Sequence, residues 1–121
     1  MTLLKMKLIV IRSSDVLRCA AFYRQLGLEF TEHRHGGGPL HFAAVLAGVV
    51  FEIYPTKKSD DVDRTTRLGF VVPDIHTSIL ALRSSDVKIV EVLEQTEWGQ
   101  RAVVRDPDGR SVELYAAETL P

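Results

Sequence analysis

Apolar residues recur along this chain at two spacings, every second position in some stretches and every third or fourth in others. Residues 8–12 read as a strand. Ser13, Ser14 and Asp15 then offer helix N-cap chemistry. Val16, Ala20, Tyr23 and Leu26, with Phe22, form a helical stripe that ends at Gly27, a predicted C-cap. A strand over 28–34 runs into the break His35-Gly-Gly-Gly-Pro39, and 41–46 with 49–54 make a hairpin around Ala47-Gly48. After Pro55 and a polar run over 56–64, the order repeats. Strand 67–72, a helix from Asp74 to about Ser84 and strand 87–93 lead to a hairpin of 101–105 with 111–116, turned by Pro107-Asp108-Gly109.

The two passes are copies. Gly38, Gly48, Glu52 and Tyr54 return as Gly99, Gly109, Glu113 and Tyr115 at one constant interval, with Phe51/Val112 and Ile53/Leu114 in step. Residues 8–15 map onto 67–74 at an interval two residues shorter, as an insertion of two residues in the second copy requires. A unit this short cannot bury its own hydrophobic face, so the copies must share one core or one cavity. The expected class is α+β: two βαβββ modules in a single domain over 1–121, with module one at 1–55, a linker at 56–65 and module two at 66–117. The repeat then brings two carboxylates, Glu52 and Glu113, together about a pseudo-twofold axis.

Strand parity assigns the faces. Ile9, Ile11, Phe51, Ile53, Leu68, Phe70, Val72, Val112 and Leu114 share one parity and should pack on the helices, as should Phe42. The other parity collects Leu8, Val10, Glu52, Tyr54, Arg67, Gly69, Glu113 and Tyr115. A two-residue turn at Ala47-Gly48 sets Ala43 opposite Glu52 and His41 opposite Tyr54, so His41 lies diagonal to Glu52. An apolar face carrying Glu, Tyr, Arg and His at matched places has the makeup of a binding cavity.

Composition narrows the function classes. The 121 residues are 45% hydrophobic and 26% charged, and the net charge of -1 gives no reason to expect nucleic acid or an anionic membrane as partner. The apolar run 8–11 is too short for a signal-peptide core or a membrane span. A lone Cys19 cannot form an intramolecular disulfide, which fits the cytoplasm, and beside Ala20 and Ala21 it reads as a small buried thiol.

Several residues carry a resemblance to a known family. They are Asp15, Phe22-Tyr23 and Leu26-Gly27-Leu28 in module one. In module two they are Asp74, Trp98-Gly99 and the run Asp106-Pro-Asp-Gly-Arg-Ser-Val-Glu-Leu-Tyr115. Over nearly its whole length the chain resembles the vicinal oxygen chelate superfamily, which includes glyoxalase I, bleomycin-resistance proteins and extradiol dioxygenases. The resemblance implies paired half-barrel sheets with helices on the outside, the two modules enclosing a site, and a homodimer.

Metal-dependent members of that superfamily place ligands on the first and last strand of each module. Glu52 and Glu113 stand at the last-strand positions, but the first-strand positions are Leu8 and Arg67. Leucine has no donor atom and a guanidinium repels a divalent ion. No resident cofactor is therefore expected; a divalent Zn, Ni or Mn enters only if Glu52, Glu113 and His41 supply its ligands. His33 and His35 could share the face of His41, or be exposed polar residues flanking the glycine loop. Without metal, Glu52 is the better general base because it faces Leu8, whereas Arg67 should project toward Glu113 and pair with it. Glu52, Glu113 and His41 make up the candidate catalytic set, with His41 as partner or proton relay of Glu52 and Tyr54 or Tyr115 as hydrogen-bond donor. Leu8, Arg67, Tyr54, Tyr115 and Trp98 complete the candidate ligand-binding set.

Two functions of different class follow. One is a metal-free protein of the bleomycin-resistance type that holds a small organic ligand in an apolar cavity. The other is a glyoxalase-like lyase or isomerase acting on a small carbonyl compound with Glu52 as base, with or without metal. The partners expected are a small molecule and a second copy of the chain.

Overall fold

A computed structural model describes residues 2–85, 87–97 and 99–117. Module one runs β1 (Leu8–Ser13), α1 (Val16–Gln25), β2 (Thr31–His33), β3 (His41–Leu46) and β4 (Val49–Pro55). Module two runs β5 (Leu68–Val72), α2 (Ile75–Arg83), β6 (Ile89–Thr96), β7 (Gly99–Arg105) and β8 (Ser111–Ala116). Each module forms a four-stranded sheet, in the orders β1-β4-β3-β2 and β5-β8-β7-β6. The first strand lies parallel to the last in both, while the helix crosses from the first strand to the second at the opposite edge of the sheet.

Both helices start on an aspartate. Asp15 accepts from the Arg18 amide, and Asp74 from those of His76 and Thr77. These carboxylates satisfy donors that have no partner within the helix. Gly27 follows α1 at φ 115, in the left-handed region that lets the chain leave the helix.

The expected parity holds throughout. Phe42, Phe51, Ile53, Val72, Val112 and Leu114 are buried under the helices, while Leu8, Val10 and Val71 lie exposed on the opposite faces. One core spans both modules. Tyr23 of α1 packs at 5.2 Å from Phe51 and 6.0 Å from Phe70, and those two rings, one from each sheet, meet edge-on at 6.1 Å.

The sheets depart from the sequence reading at their outer strands. β2 is three residues rather than a strand over 28–34, because Leu28 and Phe30 turn in to the core instead of pairing with β3. β6 begins later and ends later than expected, with register shifts between Ile89 and Glu94. Its pairing with β7 continues out to Thr96 opposite Gly99.

The run 106–110 serves the fold. Arg110 is 1% exposed. It donates to the Asp106 carboxylate at 2.7 Å, to the Asp63 carbonyl at 2.9 Å and to the Arg12 carbonyl. The Tyr23 hydroxyl donates to Asp106 at 2.7 Å, and Asp108 accepts from the amide and hydroxyl of Ser14 at 3.0 and 2.8 Å. This short run therefore pins β1, α1 and the linker to module two.

Candidate functional site

On the helix-free face of module one the strand registers align side chains in rows across the sheet. Leu8, Val50 and Val45 form an apolar row, and Val10, Glu52, Ala43 and Thr31 form the next. Arg12, Tyr54, His41 and His33 form the third. In that third row the side chains stand stacked like plates. The Arg12 guanidinium lies 5.2 Å from the Tyr54 ring centre, Tyr54 stacks on His41 at 4.1 Å, and His41 stacks on His33 at 5.6 Å. His35 adds a fourth ring 5.2 Å from His41.

The glycine run puts His35 there. Gly36 has φ +58, and a side chain at Gly38 would meet the His35 carbonyl at 2.9 Å. Only glycines close so tight a turn. What reads in the sequence as a surface loop is the device that returns a histidine to the site.

His41 is 3% exposed and Glu52 20% exposed, with Nε2 and Oε2 3.9 Å apart. His41 Nδ1 lies 3.3 Å from the Pro39 carbonyl. A carbonyl only accepts, so Nδ1 carries a proton. In the neutral ring Nε2 then offers a lone pair toward a carboxylate that also only accepts. The gap between them is therefore a place for a donor: a proton on His41, or an O–H or N–H group of a ligand. Beside it Thr31, His33, Ala43, Val45 and Val50 line a hollow of about 330 Å³.

Module two has the same frame and opposite chemistry. Glu113, 14% exposed, accepts from Arg101 at 2.7 Å, from Arg67 at 2.9 Å and from the Tyr115 hydroxyl at 3.2 Å. Arg101 also pairs with Glu94. Burial alone would raise the Glu113 pKa, but the hydrogen bonds from Arg101 and Tyr115 and the charges of Arg67 and Arg101 outweigh it. The carboxyl is held below its ordinary value. Arg101, bonded to Glu94 and Glu113, is held protonated beyond even the usual guanidinium range.

Arg67 thus meets Glu113 as the repeat predicts. Its side chain is nevertheless 63% exposed, so the pair sits at a rim and not in a sealed pocket. Leu8, Tyr54 and Tyr115 lie on the expected faces, and Trp98 lies outside the described residues. Cys19 is fully buried, and burial together with the charges of Asp106 and Asp108 pushes its thiol far up, which leaves it inert.

Arg101 and Arg12 are site residues that the sequence reading missed. The signal for Arg101 was present: the register sets Val103 opposite Glu113 as Ala43 is opposite Glu52. Arg101 is therefore the counterpart of His41.

The donor set does not fit a resident divalent ion. Leu8 offers no donor, Arg67 is a cation, and both Glu113 oxygens are engaged by guanidinium and phenol groups. Among the described residues no three His, Cys, Asp or Glu side chains are placed to hold a metal, so Glu52, Glu113 and His41 do not form one ligand set. Among the same residues no helix is long and apolar enough to cross a membrane.

The model of the Glyoxalase/Bleomycin resistance protein/Dioxygenase superfamily matches residues 5–114. No curated protein matches. Among solved structures, the chain is similar to TnmS3, an antibiotic binding protein from Streptomyces sp. CB03234, at 19% identity over 98% of this chain and 99% of that one, with TM-score 0.73. It is similar to the oxidase ChaP-H2 at 14% identity over 97% and 96%, TM-score 0.77. It is similar to lactoylglutathione lyase from Agrobacterium tumefaciens at 17% identity over 93% of each chain, TM-score 0.66. Likenesses this distant speak for the fold alone.

Proposed function

Because the chain belongs to the Glyoxalase/Bleomycin resistance protein/Dioxygenase superfamily, we propose that it binds a small organic ligand on its helix-free faces without a resident metal. The observation that carries this reading is the unequal state of the two carboxylates. Glu113 is engaged by two guanidinium groups, whereas Glu52 faces His41 across a 3.9 Å gap. A ligand O–H or N–H that enters the gap donates to one of the two acceptors, and an amine with two protons donates to both, while its apolar body lies along Leu8, Val10, Val45 and Val50. The antibiotic-binding neighbour is in keeping with such a ligand.

The working unit in this reading is a cytoplasmic homodimer. Leu8, Val10 and Val71 are 52%, 42% and 70% exposed on the helix-free faces, and a second copy would cover them.

A second reading rests on the same pair. Glu52 as general base, with His41 relaying the proton, suits a lyase or isomerase that removes a proton next to a carbonyl. The test for both is a thermal-shift screen of small carbonyl compounds and amphipathic organic molecules. Hits should stabilise the protein and lose their effect in Glu52→Gln but keep it in Glu113→Gln. Turnover of a carbonyl hit, abolished by Glu52→Gln, selects the enzyme. Hits indifferent to Glu52, or a screen without hits, would overturn the proposal.

A further inference from the structure

A second hollow of about 300 Å³ opens on the other side of the molecule, where α1 meets the segment after α2 and the end of β7. Its volume falls at the small end of ligand pockets, which begin at roughly 300 Å³. Ala21, Phe22, Val87 and Pro107 give it apolar walls, Gln25 and Ser85 add neutral polar ones, and the cationic residues Arg18, Lys88 and Arg105 also line it.

The charges are the informative part. Asp106 also lines the hollow, but its carboxylate is already taken by Arg110, the Tyr23 hydroxyl and the amides of Asp108 and Arg110. Among the described residues Arg18 and Lys88 have no ion-pair partner, and the Arg105 side chain donates to the Gly109 carbonyl alone. This chain has 16 acidic and 15 basic residues, so carboxylates are not in short supply. Three like charges around a partly apolar hollow repel one another, and an oxyanion between them relieves that repulsion.

We propose that this hollow binds a small organic oxyanion, a carboxylate or a phosphate carried on a compact apolar body such as an aromatic ring. The head group meets Arg18, Lys88 and Arg105, and the body rests on Phe22 and Val87. Residues of both modules line the site, so its occupant would bridge them. It stands apart from Glu52 and does not depend on the function proposed above.

The test is a titration of the full chain with 2-naphthoate, followed by amide nitrogen–proton correlation spectra. Saturable shifts at Ala21, Phe22, Ser85 and Val87 are expected. The double variant R18Q/K88Q should weaken binding about tenfold, since it removes two of the three charges. Both residues are exposed, so its unfolding midpoint should stay unchanged. 2-Naphthyl phosphate in the same titration identifies the preferred head group, inorganic phosphate should bind more weakly than either, and 2-naphthylmethylamine should not bind. Shifts that fail to saturate, that fall around Glu52, or that persist unchanged in R18Q/K88Q would overturn the proposal. So would equal binding of the amine or of inorganic phosphate.

Discussion

His41 and Arg101 hold the same place in the two halves of this chain. Each lies on the third strand of its module, two residues before the one that faces the module's glutamate. His41 approaches Glu52 at 3.9 Å, while Arg101 donates to Glu113 at 2.7 Å. This exchange, together with that of Leu8 for Arg67, leaves one carboxylate available and engages the other.

Arg101 should matter for stability in a pH-dependent way. The Glu113 carboxyl titrates below its ordinary value of 4.5 in the folded protein. Its contribution is therefore fully present above that value and is lost as pH falls through the lower folded one. Arg101→Gln should cost about 1–2 kcal/mol at pH 7, because it removes a charged hydrogen bond from a largely buried acceptor. The deficit should shrink as pH falls from about 5 toward 2. Urea denaturation across that range measures it, and a deficit constant with pH would count against the assignment.

Arg67 should matter less. At 63% exposure, Arg67→Leu should cost about 0.5–1 kcal/mol, the scale of an exposed ion pair. Arg67→His alone should gain little Zn affinity, because Arg101 still holds Glu113. Combining it with Arg101→Gln frees that carboxylate beside an imidazole, and calorimetry should then detect Zn binding. A single Arg67→His variant that binds Zn as tightly would contradict the role given to Arg101.

Arg110 should be the costliest polar residue to replace. Arg110→Met leaves the buried Asp106 without its cation and frees two carbonyls from their donor, so a loss of about 3–5 kcal/mol is expected. Tyr23→Phe removes one donor to Asp106 and should cost about 1 kcal/mol. Chemical denaturation of both variants checks the order.

The β3–β4 turn carries a removable strain. Ala47 has φ 49 and Gly48 φ 82, the pair of left-handed residues that a two-residue hairpin turn requires. Ala47→Asn should stabilise the protein by about 0.5–1 kcal/mol, since asparagine tolerates that conformation better. A lower unfolding midpoint would show that Ala47 makes a compensating contact.

Much of this was legible in the sequence. The repeat and the strand parity place Glu52, Tyr54, Glu113 and Tyr115 on the helix-free faces, and the hairpin register places His41 beside Glu52. Both signals are local and periodic, which is why they survive folding. The sequence hides interactions that depend on how far a long side chain reaches. Arg101 lies next to no acidic residue in sequence, yet it joins Glu113 and Glu94 from neighbouring strands. Arg110 reads as a family signature, while its task of tying Arg12, Asp63 and Asp106 together exists only once the modules are packed. The sequence suggests a longer β2 because Leu28 and Phe30 are apolar enough for a strand, and the core claims them instead.

In the proposed function, fixed guanidinium groups close the second carboxylate to metal and leave Glu52 to an organic ligand. The most direct test is the metal content of the purified protein after growth with added Zn, Ni and Mn, followed by dialysis. Far less than one ion per chain is expected. A full equivalent of a divalent ion that survives dialysis and is lost in Glu113→Gln would contradict it.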